Sequence, residues 1–290
     1  MTLKYSETFY SAQGEGQYVG IPSLWMRFFL CNLQCNGFGQ KDPTDPSTYE
    51  LPYETIDITH IDNVFDLPVF EKGCDSSYTW SKKFKHLITD KTVEEAVDEL
   101  TALLPQGKFV HPLTQQNVHM VFTGGEPMLK KTQPGMIQIM DEFTRRGNMP
   151  NYVTVETNGT RPIEDEMVEY IKNYSGEWYW SLSPKLWATA GEMSKKAIKP
   201  EVIGKYAEAS NNGQLKFVVN GTDASWKEVE ENTKLFREAG CNFPVWIMGV
   251  GGTFEGLVQT EATIADEAIQ RGYNYTSRVH VHIYGNAIGK

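Results

Sequence analysis

The chain has 290 residues, of which 40% are hydrophobic and 22% charged, a balance that can bury a sizeable core and argues against wholesale disorder. A formal net charge of −10 argues against broad binding to a phosphate backbone, which needs clustered Lys and Arg, and favours a small molecule or a protein as partner. No uncharged apolar run reaches the roughly 18 residues of a membrane-spanning helix.

In chain order, the opening Met1-Thr2-Leu3-Lys4-Tyr5-Ser6-Glu7 lacks the basic start and apolar stretch of a signal peptide. Short apolar runs rich in β-branched and aromatic residues then predict strands at 23–30, 118–123, 152–156, 178–182, 215–219 and 244–248. Helical patterns fall between them, at 92–104, 133–147, 162–174, 194–209, 223–239 and 260–271. The first of these sets Val93, Ala96, Val97, Leu100, Leu103 and Leu104 on one face and opens with Thr92-x-x-Glu95, a capping box. In the fifth, Trp226, Val229, Thr233 and Phe236 recur at helical spacing, and Gly240 is the expected stop. Repeated strand–helix units imply a parallel sheet with right-handed crossovers. Six units predict an α/β fold, a partial (β/α)6 barrel of the TIM type in one domain spanning 1–290. Residues 36–73 break the rhythm and read as a long insertion or lid with too few recurring apolar residues to build a core.

Four cysteines in this length are no disulfide scaffold, so a reducing cytoplasm is expected and metal or redox use comes into question. Cys31 and Cys35 have three residues between them just after the first predicted strand, Cys74 lies beyond the insertion, and Cys241 stands alone after a helix as an ordinary buried thiol. Cys31 and Cys35 suit two small buried residues, a zinc site lacking an obvious fourth ligand, or an iron–sulfur cluster with one iron left open. Thr123-Gly124-Gly125-Glu126-Pro127 closes the second strand; paired glycines there suit either a plain strand–helix turn or close backbone approach to a ligand. Both features fall at C-terminal strand ends, where ligands gather in parallel α/β folds.

The residues resemble a known family. Glu7-Thr8-Phe9-Tyr10-Ser11-Ala12-Gln13-Gly14-Glu15-Gly16 opens the likeness, followed by Gly20-Ile21-Pro22-Ser23, Met26-Arg27-Phe28 and Cys31-Asn32-Leu33-Gln34-Cys35. Cys74-Asp75-Ser76-Ser77-Tyr78-Thr79-Trp80, the Gly-Gly-Glu turn, Val155-Glu156-Thr157-Asn158-Gly159-Thr160, Ser183-Pro184-Lys185 and Leu215-Lys216-Phe217-Val218-Val219 continue it in order. Together they are similar to the radical S-adenosylmethionine (SAM) superfamily and, within it, to the 7-carboxy-7-deazaguanine synthase family. Four departures stand out. Phe38 occupies the usual third cysteine position, Ser76 stands for the family's Thr, Met248-Gly249 replaces a common Gln-Pro, and the tail from Ser277 to Asn286 matches only some members loosely.

The resemblance implies that Cys31, Cys35 and Cys74 hold a [4Fe–4S] cluster, with the 36–73 insertion inside the cluster-binding loop. The open iron would chelate SAM, and one-electron reduction would cleave it to a 5′-deoxyadenosyl radical. Gly124, Gly125 and Glu126 would hold the methionine ammonium, while Glu156, Asn158, Ser183 and Lys185 would line the cofactor cavity. The implied substrate is 6-carboxy-5,6,7,8-tetrahydropterin, converted by ring contraction with loss of ammonia, in the pathway to queuosine and related deazapurines. Gln13, Gly14, Glu15 and Thr123 would bind its amide-like edge, and Arg27 its carboxylate, or else Arg27 pairs with a core carboxylate. Asp75 and Ser76 would place Mg²⁺ against it. A flavodoxin or ferredoxin is the implied electron donor, and a homodimer is left open. His280 and His282 alternate on one face of a predicted strand, as a surface pair or as ligands. Two other readings compete: a glycyl-radical enzyme activase, against which the Gln13-Gly14-Glu15-Gly16 motif speaks, and a non-catalytic metal-binding scaffold.

Overall fold

The apolar runs pair into one sheet. In the computed structural model, which describes residues 2–290 and leaves Met1 outside, the strands are β1 (Thr2–Ala12), β2 (Pro22–Phe28), β3 (Thr89–Thr92), β4 (His119–Gly124), β5 (Tyr152–Thr157), β6 (Glu177–Leu182), β7 (Asn212–Val219), β8 (Val245–Gly249) and β9 (Asn274–Tyr275). Their order is β3-β1-β2-β4-β5-β6-β7-β8-β9. From β2 to β9 every neighbouring pair is parallel, whereas β1 runs antiparallel to both β2 and β3. The two end strands, β3 and β9, are not neighbours among the described residues, so the sheet is an open, mostly parallel one.

Six helices complete the strand–helix units: α1 (Val93–Leu103), α2 (Gln133–Arg145), α3 (Asp165–Asn173), α4 (Pro200–Ala209), α5 (Asp223–Glu238) and α6 (Glu261–Gln270). The capping box forms at the start of α1: the Thr92 hydroxyl accepts from the Glu95 N–H, and the Glu95 carboxylate accepts from the Thr92 N–H at 2.9 Å. Side chains alternate across each strand. Leu24, Met26 and Phe28 of β2, Met120 and Phe122 of β4, and Trp178, Trp180 and Leu182 of β6 join one core with Leu100 of α1 and Met140 of α2. The opposite parity carries the polar groups together with a small apolar cluster of Phe9, Trp25 and Val121. Among the described residues no helix is long and apolar enough to cross a membrane.

One strand is added to those expected, and three local expectations are corrected. Strand β1 carried no strand signal, because Tyr5 through Phe9 are all buried and a register shift between Tyr5 and Glu7 breaks the alternation. The helix expected over 194–209 is interrupted: one turn at Ser194–Ala197 ends, and Pro200 starts α4, since the residue before a proline is pushed out of the helical region. The alternating histidines lie on a helix, α7 (Val279–Tyr284), closed by Gly285 at φ 63°, and not on a strand. The insertion has a small core: Tyr53, Ile61, Val64, Leu67 and Phe70 pack with Tyr78 and Phe84, which come from beyond it.

Leu100 is fully buried on α1, whereas Leu103 one turn later is 37% exposed. Leu100→Ala is expected to cost about 2–5 kcal/mol in urea unfolding, and Leu103→Ala less than about 0.5 kcal/mol. Equal losses would mean that α1 does not bury this face.

Candidate active site

At the C-terminal ends of the parallel strands lies a cavity of about 270 Å³. Strand parity fills its floor with polar groups: Arg27 from β2, Thr123 from β4, Glu156 from β5, Ser181 from β6 and Lys216 from β7 all line it. The outer face of the same strands is apolar, so each strand serves the core with one face and the cavity with the other.

The three sulfur residues gather on one wall. Cys31 and Cys35 follow β2, Cys74 returns at the far end of the insertion, and all three pack with Leu33, Phe38 and Ala190 and line the cavity. Cys35 sits at φ 53°, and the Glu192 carboxylate accepts hydrogen bonds from the Gln34 and Cys35 N–H groups at 2.6 and 2.9 Å, which holds the loop curled. Burial pushes the Cys31 thiol up to about 12 and the Cys74 thiol up to about 11, and it moves Cys35 well above the usual range. Such thiols are neutral on their own; a cationic iron centre would draw them into thiolates. Among the described residues no three His, Cys, Asp or Glu side chains form a site for a single metal ion. A four-iron cube is a wider object, because each thiolate binds a different iron. The donor set therefore fits a cluster with one iron left open.

The glycine turn is built against this loop. A side chain at Gly125 would strike the Leu30 carbonyl and the Cβ of Cys31, and one at Gly124, whose φ is 143°, would strike the backbone of Phe28. The Gly125 and Glu126 N–H groups bond the Phe28 and Leu30 carbonyls at 3.1 and 2.8 Å. Glu126 itself is fully buried and lies outside the cavity lining. Its carboxylate accepts from the Met128 N–H at 2.8 Å, the Thr157 hydroxyl at 2.6 Å and the Asn158 N–H at 2.8 Å. Burial outweighs these bonds and raises its pKa. It ties the β4 turn to the β5 turn, where Asn158 Nδ2 reaches Asn32 at 3.2 Å and lies 4.0 Å from the Cys31 sulfur. Lys185 donates to the Ser183 hydroxyl at 2.8 Å and stands over the Phe38 ring.

On the opposite side the opening motif supplies the polar groups. Gln13 accepts from the Glu15 N–H at 3.1 Å and donates to Glu156 at 3.4 Å, and Glu156 also accepts from Thr123 at 3.0 Å. Gly14 leaves room for the His280 imidazole, which any side chain there would strike. Arg27 pairs through Nε with Glu7 at 2.6 Å, and the Tyr78 hydroxyl donates to the same Glu7 oxygen at 2.7 Å. Arg27 thus has the core carboxylate partner, while its Nη1 extends toward Ser76 at 3.4 Å on the cavity side. Glu15 is clamped between Lys216 and Arg278, the latter at 3.0 Å. Burial would raise the Glu15 pKa, but Lys216, Arg278 and His280 hold it well below the usual carboxylate range.

Sequence reasoning missed Glu7, Lys216 and Arg278 as site residues. Lys216 had a signal, since it is the lone charge in an otherwise apolar strand run. Arg278 had none, because its partners lie 203 and 263 positions away. The histidines part company: His280 lines the cavity, with burial and then Arg278 lowering its pKa to about 4, whereas His282 faces Glu261 and Ser277, each at 3.0 Å, outside it.

A carboxylate with a depressed pKa stabilises the fold fully above its ordinary pKa, near ~4.3, and that contribution is lost as pH falls below it. Glu15→Gln, which leaves buried Lys216 without its charge partner, should cost about 3 kcal/mol at pH 7 in urea unfolding. The gap to the unsubstituted protein should narrow as pH falls below about 4. A gap that does not change with pH would show that Glu15 is not held ionised by these cations.

No protein-family model matches the chain. Curated relatives align along nearly its whole length. It is 26% identical to the 7-carboxy-7-deazaguanine synthase of Rhodopirellula baltica, covering 99% of this chain and 89% of that one. It is 26% identical to that of Halobacterium salinarum, over 98% and 91%, and 25% identical to that of Pyrobaculum aerophilum, over 99% and 97%. The crystal structure of QueE from Escherichia coli superposes with a TM-score of 0.53 at 16% identity, covering 96% of this chain and 95% of the other, so the two share a fold. Along 98–99% of its length the chain is thus similar to proteins named 7-carboxy-7-deazaguanine synthase, and it shares the fold of QueE.

Proposed function

We propose that this protein is a radical SAM enzyme, a carbon–nitrogen lyase that converts 6-carboxy-5,6,7,8-tetrahydropterin to 7-carboxy-7-deazaguanine with loss of ammonia. The observation that carries this reading is one cavity with two unlike walls. Three cysteines, the last two with 38 residues between them, form one wall, and the polar groups of the opening motif form the other. Cys31, Cys35 and Cys74 would hold a [4Fe–4S] cluster. The Gly124-Gly125 backbone, Asn158, Ser183 and Lys185 would hold SAM. When bound, cluster and SAM together supply a 5′-deoxyadenosyl radical as the hydrogen-abstracting agent.

The chain's own residues do the positioning. Arg27, with Nε spent on Glu7, presents its remaining N–H groups to a substrate carboxylate. Gln13 and Glu156, already linked to each other, offer an amide and a carboxylate to the pterin edge. Glu126 acts through the backbone: by bonding the turns after β4 and β5 it sets the glycine pair beside the cysteine loop. A deep floor of paired charges beneath a lumen of this size favours a small substrate held in one orientation over a protein surface. The reading places the enzyme in the cytoplasm and requires a flavodoxin or ferredoxin as reductant, with the 36–73 segment beside the cysteine wall as its docking surface.

Cys74→Ala is expected to lower the iron content after anaerobic reconstitution and to abolish SAM cleavage. Cys241→Ala, in the main apolar core away from the cavity, is expected to leave both intact. Full SAM cleavage by Cys74→Ala would remove the assignment, and absence of carboxypterin turnover by the fully reconstituted protein would remove the substrate.

A further inference from the structure

The pair expected to hold Mg²⁺ is already engaged by a cation of the chain itself. Asp75 Oδ2 accepts from Arg278 Nη2 at 2.6 Å, and Asp75 Oδ1 accepts from the Ser76 hydroxyl at 3.1 Å. That hydroxyl also faces Arg27 Nη1 at 3.4 Å. The guanidinium of Arg278 is buried and spends three of its donors: one on Asp75, one on Glu15 at 3.0 Å and one on the Gly251 carbonyl at 2.7 Å. It is not a loose side chain. Val279 N–H bonds the Gly14 carbonyl at 2.9 Å, Thr276 N–H bonds the Ile247 carbonyl at 2.9 Å, and the Gly16 N–H bonds the Thr276 hydroxyl at 2.7 Å. The segment bearing Arg278 is therefore fastened to β8 and to the opening motif at once.

Charge balance points the same way. Glu15 and Asp75 are matched by Lys216 and Arg278, and Glu7 by Arg27. A divalent cation on Asp75, whose side chain is 36% exposed, would sit beside the guanidinium groups of Arg278 and Arg27, where like charges repel. Mg²⁺ also needs a near-octahedral shell that retains several waters, and Arg278 Nη2 already engages Asp75 Oδ2.

We propose that Arg278 is the built-in cation of this substrate site, standing where a divalent metal ion would otherwise bridge Asp75 to an acidic substrate. An arginine has five N–H donors, so two remain after Glu15, Asp75 and Gly251, and both arise on the Nη atoms; the Nη2 atom lies 3.5 Å from His280 Nε2. The enzyme then needs no divalent cation, and Arg278 rather than a metal orients the carboxylated substrate. The substrate part rests on the function proposed above; the exclusion of the metal ion does not.

Two measurements test this on the reconstituted protein. The first is Mn²⁺ binding followed by electron paramagnetic resonance, with Mn²⁺ as the probe. The unsubstituted protein should show no site that Asp75→Asn removes, and Arg278→Ala should acquire one that Asp75→Asn then abolishes. The second is carboxypterin turnover in EDTA against excess Mg²⁺. The unsubstituted protein should differ by no more than about twofold between the two, and Arg278→Ala should lose about 30-fold or more in EDTA and regain part of it with Mg²⁺. An Asp75-dependent Mn²⁺ site in the unsubstituted protein, or a tenfold loss of its turnover in EDTA, would overturn the proposal; neither reading depends on Arg278→Ala folding. Turnover absent under every metal condition would remove the substrate assignment, with the Mn²⁺ result still deciding the role of Arg278.

Discussion

A barrel interior can hold a charged side chain only where a counter-charge or hydrogen bonds replace its water, and this constraint organises the molecule. Removing an ion from water costs several kcal/mol even after relaxation. The lumen nevertheless contains Glu7, Glu15, Arg27, Lys216 and Arg278, all with side chains at most 18% exposed. They persist because they are matched in place: Glu7 with Arg27 across the β1–β2 pairing, and Glu15 with Lys216 and Arg278. The arrangement leaves the free N–H groups of two arginines facing the cavity as a fixed, pre-oriented field. Preorganised charge of this kind costs no rearrangement when an anionic ligand arrives.

The same economy explains why β1 exists at all. It lies outside the repeating strand–helix units, antiparallel to the rest, yet it places Glu7 opposite Arg27 and delivers the Gln13-Gly14-Glu15 turn to the cavity rim. Its bulge at Tyr5 to Glu7 switches which face looks inward. The hairpin contributes Leu3, Tyr5, Leu24, Met26 and Phe28 to the core and also carries polar groups to one side of the lumen.

The other side is governed by close backbone approach. Gly124 and Gly125 bring the β4 turn against the cysteine loop, and Glu126 locks that turn to the one after β5. A carboxylate that looks like a ligand residue is here a buried tie between two turns. It acts on the site through the positions of Gly125 and Asn158, without facing the cavity.

Much of the fold was legible in the residues. The outward face of each parallel strand is apolar with period two, and the helices between them carry period 3.6 with caps at recognisable residues, because both are local properties of the backbone. The cysteines, the glycine pair and the opening motif were legible for a related reason, since backbone geometry and ligand chemistry restrict which residue types can stand there. The split at Pro200 was legible only in hindsight, as weak helical periodicity on both sides masked the proline. What the chain order could not convey was which distant groups meet: that Glu126 turns away from the lumen, that the insertion borrows Tyr78 and Phe84 to form its small core, and that Arg278 reaches Asp75 and Glu15. Hydrophobic patterning specifies faces and periods along one element, whereas the pairing of buried charges is decided by the ion that lies nearest after the sheet has curled, and that distance exists only in the folded molecule.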